Sequence, residues 1–167
     1  ETTVCIVGRR PSARLRTLVS TLSGVEVTGR VADIRPYVRE AAVYIVPLRI
    51  GGGTRLKIFE AMAMGKPVVS TTVGAEGLPV QDKRDILLAD DPQEFADAVV
   101  QLLHSPDLRS RIGTAARALV ESGYSWAAIG TRFGEILDSV VCREREAVSR
   151  AAEPDPQLTA RTNASKM

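Results

Sequence analysis

Aromatic residues make up only 4% of this 167-residue chain, which leaves few platforms on which bases could stack. Charge of one sign is lacking too. The 22 basic residues against 20 acidic ones give a net charge of +2, so there is no electrostatic footprint for wrapping nucleic acid, and nucleic acid is not an expected partner. Apolar runs such as Ala41 to Leu48 fall far short of the roughly 20 residues that span a bilayer, and the first residues carry no signal-peptide pattern. The expectation is a soluble, cytoplasmic chain with no membrane span. The one histidine, His104, closes an amphipathic helical stretch without a partner motif, which excludes a histidine-based triad and suits the C-terminal end of a helix dipole. Cys5 and Cys142 lie in or beside apolar runs at no metal-ligand or redox spacing, and read as reduced structural thiols.

What is present is an ordinary globular composition, 44% hydrophobic and 25% charged, long enough for one well-filled core. Short β-rich apolar runs recur at Val4 to Val7, Val25 to Thr28, Val43 to Pro47, Val68 to Thr72 and Ile86 to Ala89. Helical stretches are expected at Pro11 to Leu22, Ile34 to Glu40 and Thr54 to Met64, and then without interruption by strands at Pro92 to His104, Asp107 to Glu121 and Trp126 to Arg145. That alternation predicts an α/β fold, a doubly wound parallel sheet with a C-terminal helical tail. From Glu146 onward apolar content drops and Pro154 and Pro156 interrupt any helix. The expected division is a domain over 1–142 and a partly helical, then disordered tail over 143–167.

The most informative segment runs Gly51-Gly52-Gly53-Thr54-Arg55-Leu56-Lys57-Ile58-Phe59-Glu60 and ends at Gly65-Lys66-Pro67. Three glycines free the backbone for close approach to a ligand, Thr54 is a suitable N-cap, and Gly65 and Pro67 stop the helix. The unpaired amides of such a helix start point at an anion. Arg55 and Lys57 fall in the first turn, where the dipole disfavours positive charge by roughly 0.3 to 1 kcal/mol each, so a negative group is expected there. Glu60 falls beside Phe59 at the border of the apolar stripe. It reads as a ligand-binding carboxylate or as half of an exposed Lys57–Glu60 pair worth about 0.2 to 0.5 kcal/mol.

Ligands of open α/β sheets bind beyond the carboxyl ends of the strands, which here read Val7-Gly8-Arg9, Thr28-Gly29-Arg30-Val31, Val46-Pro47-Leu48 and Ser70-Thr71-Thr72-Val73-Gly74. Other nucleotide motifs do not fit. The triple glycine lacks the third glycine of a dinucleotide fingerprint, and Gly65-Lys66-Pro67 lies at a helix end rather than in a phosphate loop. A phosphoacceptor domain would need acidic residues at these strand ends.

The run Glu60-Ala61-Met62-Ala63-Met64-Gly65-Lys66-Pro67-Val68-Val69, with the glycine turn before it and Gly74 and Glu76-Gly77-Leu78 after it, resembles the C-terminal donor-binding domain of GT-B glycosyltransferases of family 4 (glycosyl transferases group 1). Exopolysaccharide-type sugar transferases are the nearest look-alikes. Val4 to Gly8, Val27 to Asp33 and Tyr124-Ser125-Trp126 extend the resemblance to about Thr3 to Leu137. It implies a Rossmann-like half of a GT-B fold and retaining transfer from a nucleotide-sugar to a hydroxyl acceptor, with no metal or other cofactor. By that resemblance Glu60 matches the second of two family glutamates and binds the donor ribose, as a carboxylate suits a vicinal diol. The main chain at Gly53, Thr54, Arg55 and Leu56 matches the phosphate and sugar contacts, and Val31 matches the loop that meets the base. Arg55 and Lys57 add charge by the dipole argument.

The family's first glutamate falls at Gly52. The resemblance also starts at the family's second strand, so the central first strand, the Arg and Lys that clamp the diphosphate near it, and the N-terminal domain that binds a glycan or lipid-linked acceptor have no counterpart before Glu1. The expected function is the donor-binding portion of a glycosyltransferase, inactive without that domain and, in the intact enzyme, cytoplasmic or peripheral to the membrane. The alternatives are a non-catalytic nucleotide-binding or interaction module and a fragment like a sugar-nucleotide epimerase. No catalytic base is assigned.

Overall fold

The structure is a computed structural model that describes residues 2–53 and 55–152, with side chains through position 143. It divides into two units, Glu1–Ser122 and Gly123–Met167, an earlier boundary than the 142/143 of the sequence reading.

In the first unit the elements run β1 (Val4–Val7), α1 (Ala13–Ser20), β2 (Val25–Gly29), α2 (Arg35–Glu40), β3 (Tyr44–Val46), α3 (Leu56–Ala63), β4 (Val68–Ser70), α4 (Thr72–Ala75), β5 (Leu87–Leu88), α5 (Pro92–His104) and α6 (Pro106–Gly123). Every strand pairing is parallel. Val68 and Val69 explain why helices lie on both faces. Adjacent strand residues point to opposite sides. Val68 belongs to a core with Ile58, Ala61 and Met62 of α3, whereas Val69 belongs to one with Leu102 of α5 and Ile112 of α6. All seven of these residues are fully buried, and this is the doubly wound arrangement expected from the alternation of elements.

The sheet is not continuous. Strands β1 and β2 form one pair, with Val4, Cys5 and Ile6 opposite Val25, Glu26 and Val27, and β3-β4-β5 form a separate sheet. Among the described residues β1 and β3 do not pair, so each keeps an open edge. The consequence is visible in burial. Strand β4, flanked on both sides, is buried throughout, whereas Val4 and Ile45 at the open edges are 39% and 38% exposed. No residue of β1, α1 or β2 enters either core. Cys5 is accordingly exposed, as is Cys142, so neither of the thiols expected to be structural is packed in a core. Slight burial, then the nearby Glu26 carboxylate, raises the Cys5 thiol pKa.

Capping sets several boundaries. The Ser12 side chain accepts from the Leu15 amide and starts α1 inside the expected span; Asp91 accepts from Gln93 and Glu94 ahead of Pro92 and starts α5 as expected. Strand β4 stops two residues short of the expected Thr72 because Thr71 turns the chain into α4, a helix the sequence reading missed; its Oγ1 accepts from the Gly74 amide at 2.9 Å.

The second unit is built on α7 (Trp126–Ala152), which begins where Ser125 Oγ accepts from the Ala128 amide. The helix continues past the expected end at Arg145. Glu146 to Ala152 is rich in Glu, Arg and Ala, all good helix formers, and Pro154 is the first residue that would forbid continuation. The disordered terminus expected beyond it lies outside the described residues from 153 onward. No described helix is long and apolar enough to cross a membrane.

Candidate functional site

The glycine turn and α3 lie where the chain leaves the carboxyl end of β3. Gly51, Gly52 and Gly53 are all exposed, and Gly53 has φ +88°, a left-handed conformation that favours glycine. A Cβ at Gly52 or Gly53 would meet nothing within 4 Å, whereas one at Gly51 would press on the Leu48 side chain at 3.0 Å. The turn therefore presents open backbone on its last two glycines and rests on Leu48 at its first.

Helix α3 begins at Leu56, two residues past its expected start at Thr54. Thr54, expected as its N-cap, lies outside the described residues, and Arg55 occupies the cap position without a side-chain cap bond. Leu56 to Ala63 form the helix, Met64 closes it, and Gly65 follows with φ +69° before Pro67. The stop signals thus act as the sequence predicts. No described residue accepts from the amides of Leu56 or Lys57 at the helix start. Lys57 is exposed and Leu56 is 60% exposed beside Ile50 at 90%, so a cation and two apolar side chains rim the turn. Ile50 was not anticipated as part of this rim.

Arg55 behaves differently from a surface cation of the first turn. It is only 6% exposed. Its Nη1 donates to the Gly52 carbonyl at 3.1 Å, and its Nη2 donates to the Gly51 and Val73 carbonyls at 3.0 and 2.8 Å, with Glu76 Oε2 at 3.7 Å. Its Nε is buried without a partner among the described residues. Where a negative group was expected near Arg55, the partners are carbonyl oxygens, with the exposed Glu76 carboxylate farther off at 3.7 Å. Thr71 makes a second tie between the same two loops, donating Oγ1 to the Leu48 carbonyl. A Cβ at Gly74 would strike Ser70 Oγ and approach the Val46 carbonyl to 3.0 Å, so only glycine lets α4 lie this close to β3.

Glu60 is exposed on α3, and no ion pair of its carboxylate occurs among the described residues, including the pair with Lys57 that was weighed against ligand binding. Burial, and after it the Glu60 charge, raises the Tyr44 phenol pKa, which places the carboxylate's field over the end of β3 nearest Tyr44. Lys66 Nζ is spent on the carbonyls of Arg39 and Ala41, closing the end of α2 onto the end of α3; burial lowers its pKa. That use agrees with its rejection as a phosphate-loop lysine.

Of the residues singled out from sequence, Gly52, Gly53, Arg55, Leu56, Lys57 and Glu60 share the turn and the first two turns of α3. Val31 stands apart, half-buried just past β2 in the other sheet. A depression of about 480 Å³ elsewhere, between α1 and β2 and walled by Val19, Val25 and Val27, contains none of them. No group of three or more potential metal ligands occurs among the described residues.

The sequence of residues 1–105 matches the family described as glycosyl transferases, group 1. The chain belongs to that family. It is 31% identical over 140 residues to the phosphatidyl-myo-inositol mannosyltransferase of Mycobacterium leprae, covering 81% of this chain and 37% of that protein. It is 29% identical over 141 residues to a GDP-mannose-dependent mannosyltransferase acting on a monoacylated phosphatidylinositol monomannoside in Corynebacterium glutamicum, covering 79% of this chain and 37% of that one. Among solved structures, Anabaena HepE in complex with UDP superposes with a TM-score of 0.73 at 21% identity, over 83% of this chain and 41% of HepE. That likeness carries the fold: a GT-B glycosyltransferase half with parallel strands and a helical tail. The chain spans about a third of the length of the curated relatives it matches.

Proposed function

We propose that this chain is the donor-binding portion of a glycosyltransferase that moves a sugar from a nucleotide-sugar to a hydroxyl acceptor with retention of configuration. The observation that carries the reading is the open glycine backbone at Gly52 and Gly53 leading into the start of α3, where the amides of Leu56 and Lys57 have no acceptor among the described residues, at the carboxyl edge of β3. Helix amides and an adjacent cation suit a diphosphate leaving group, whose developing charge they stabilise without reorganisation. In this arrangement the main chain at Gly53, Thr54, Arg55 and Leu56 receives the phosphates and sugar, and Lys57 adds charge. Glu60 accepts from the ribose hydroxyls, and Val31 meets the base through its main chain. Gly52 leaves room where the family resemblance implies a carboxylate toward the sugar. The donor is a substrate, and the site asks for no metal or other cofactor.

Positioning and leaving-group stabilisation are what this portion contributes; the acceptor, a glycan or lipid-linked hydroxyl, is held by a further domain. A second reading, a nucleotide-binding module without transfer activity, is favoured by the absent carboxylate at Gly52 and the gap between β1 and β3. Assays with several nucleotide-sugars and simple hydroxyl acceptors separate the two. The proposal expects no transfer by this chain alone and transfer once it is joined to an acceptor-binding domain of the family. Donor binding with no transfer in the joined protein selects the module; transfer by the chain alone overturns the division of labour.

A further inference from the structure

The Arg55 guanidinium is an internal brace that joins two loops at the carboxyl edge of the sheet. Its acceptors at Gly51 and Gly52 belong to the turn after β3, and its acceptor at Val73 belongs to α4, after β4. A planar guanidinium suits this arrangement, since two nitrogens can address acceptors in fixed directions at once, which an ammonium on a flexible stem does not reproduce. Both nitrogens that donate do so to main-chain oxygens, and the side chain is only 7% exposed, so its charge faces the protein rather than solvent.

We propose that Arg55 is a positioning residue: by fixing the Gly51–Gly53 turn against α4 it sets the direction of the amides at the start of α3, and Lys57 supplies the side-chain cation that meets the ligand. The ligand half of this statement rests on the donor-site reading above; the brace itself does not. Three glycines in sequence have the largest conformational freedom to lose, and an anion site made of backbone amides works only when their direction is fixed before the ligand arrives. Arg55 removes that freedom from within, together with Thr71, which holds the Leu48 carbonyl at the root of the same turn.

The test compares the parent chain with Arg55→Lys, which keeps the charge and loses the fork, and with Lys57→Gln, which keeps the fork. Amide hydrogen exchange of the ligand-free proteins reads the brace. Calorimetry with UDP and GDP against uridine and guanosine reads the site. The brace predicts at least a ~10-fold rise in exchange across the glycine turn in Arg55→Lys and none in Lys57→Gln. Diphosphate affinity falls by ~10-fold or more in Arg55→Lys while nucleoside affinity is kept, the size expected when hydrogen bonds to a charged group are misdirected. Unchanged exchange in Arg55→Lys overturns the brace. Raised exchange with full diphosphate affinity overturns the positioning role and leaves Arg55 structural. Should the parent chain bind no diphosphate, the donor-site reading fails and takes the ligand half with it, while the exchange comparison still decides the brace.

Discussion

Arg55 Nη2 lies 3.7 Å from Glu76 Oε2, yet the two side chains occupy opposite environments, at 7% and 74% exposure. The partner that holds the arginine is therefore the set of carbonyls, and the carboxylate is a solvated onlooker. Ion pairs with one arm in water are worth about 0 to 1 kcal/mol. Glu76→Gln should shift the unfolding free energy by no more than about 1 kcal/mol in denaturant titrations. A loss several times larger would mean that the charge pair, and not the carbonyl set, stabilises the buried guanidinium.

Helix α6 crosses the end of α3 so closely that a Cβ at Gly113 would strike the Gly65 carbonyl oxygen and come within 3.6 Å of the Pro67 nitrogen. Backbone atoms cannot swing aside as a side-chain tip can. Gly113→Ala should destabilise the first unit by about 1 to 3 kcal/mol, the usual range for overpacking. Thermal melts check this, and an unchanged or raised midpoint would contradict the packing described.

Asp90 caps α4 from a distance: its carboxylate accepts from the Thr72 amide at 2.8 Å and the Thr72 hydroxyl at 2.7 Å. These bonds, the hydroxyl one first, hold its pKa below the ordinary carboxylate value. A depressed folded-state pKa contributes stability that is present above the unfolded-state value and is lost as pH falls through the folded one. The parent should therefore lose stability on acidification below about pH 5, and Asp90→Asn should lose less over the same range. Equal pH slopes for the two proteins would show that the Asp90 bonds do not contribute.

Much of this fold was legible because its signals are local. The Gly65 and Pro67 stop, the Asp91-Pro92 start and the apolar runs of β1 and β4 each need only a few neighbouring residues, and each falls within a residue or two of its expected place. Arg55 was misread for the complementary reason. Judged from its own turn it is a cation against a helix dipole, and its removal would relieve the empty protein. Its decisive partner, the Val73 carbonyl, lies 18 residues away on a helix that was not expected from the sequence. Thr71 and Gly74 carry the signal that could have revealed α4, a hydroxyl three residues before an amide that it caps. The gap between β1 and β3 was anticipated only through the family resemblance, since each strand by itself reads as an interior one.

Whether the α3 start and Glu60 receive a nucleoside diphosphate is decided by calorimetric titration of UDP and GDP into the parent chain and into Glu60→Gln. Glu60 is exposed and has no ion pair among the described residues, so the substitution isolates the ligand contact. The parent should bind, and the variant should lose roughly 1.5 to 3 kcal/mol, the value of a hydrogen bond to a charged group. Equal affinity in the two proteins, or no binding by the parent, would contradict that assignment.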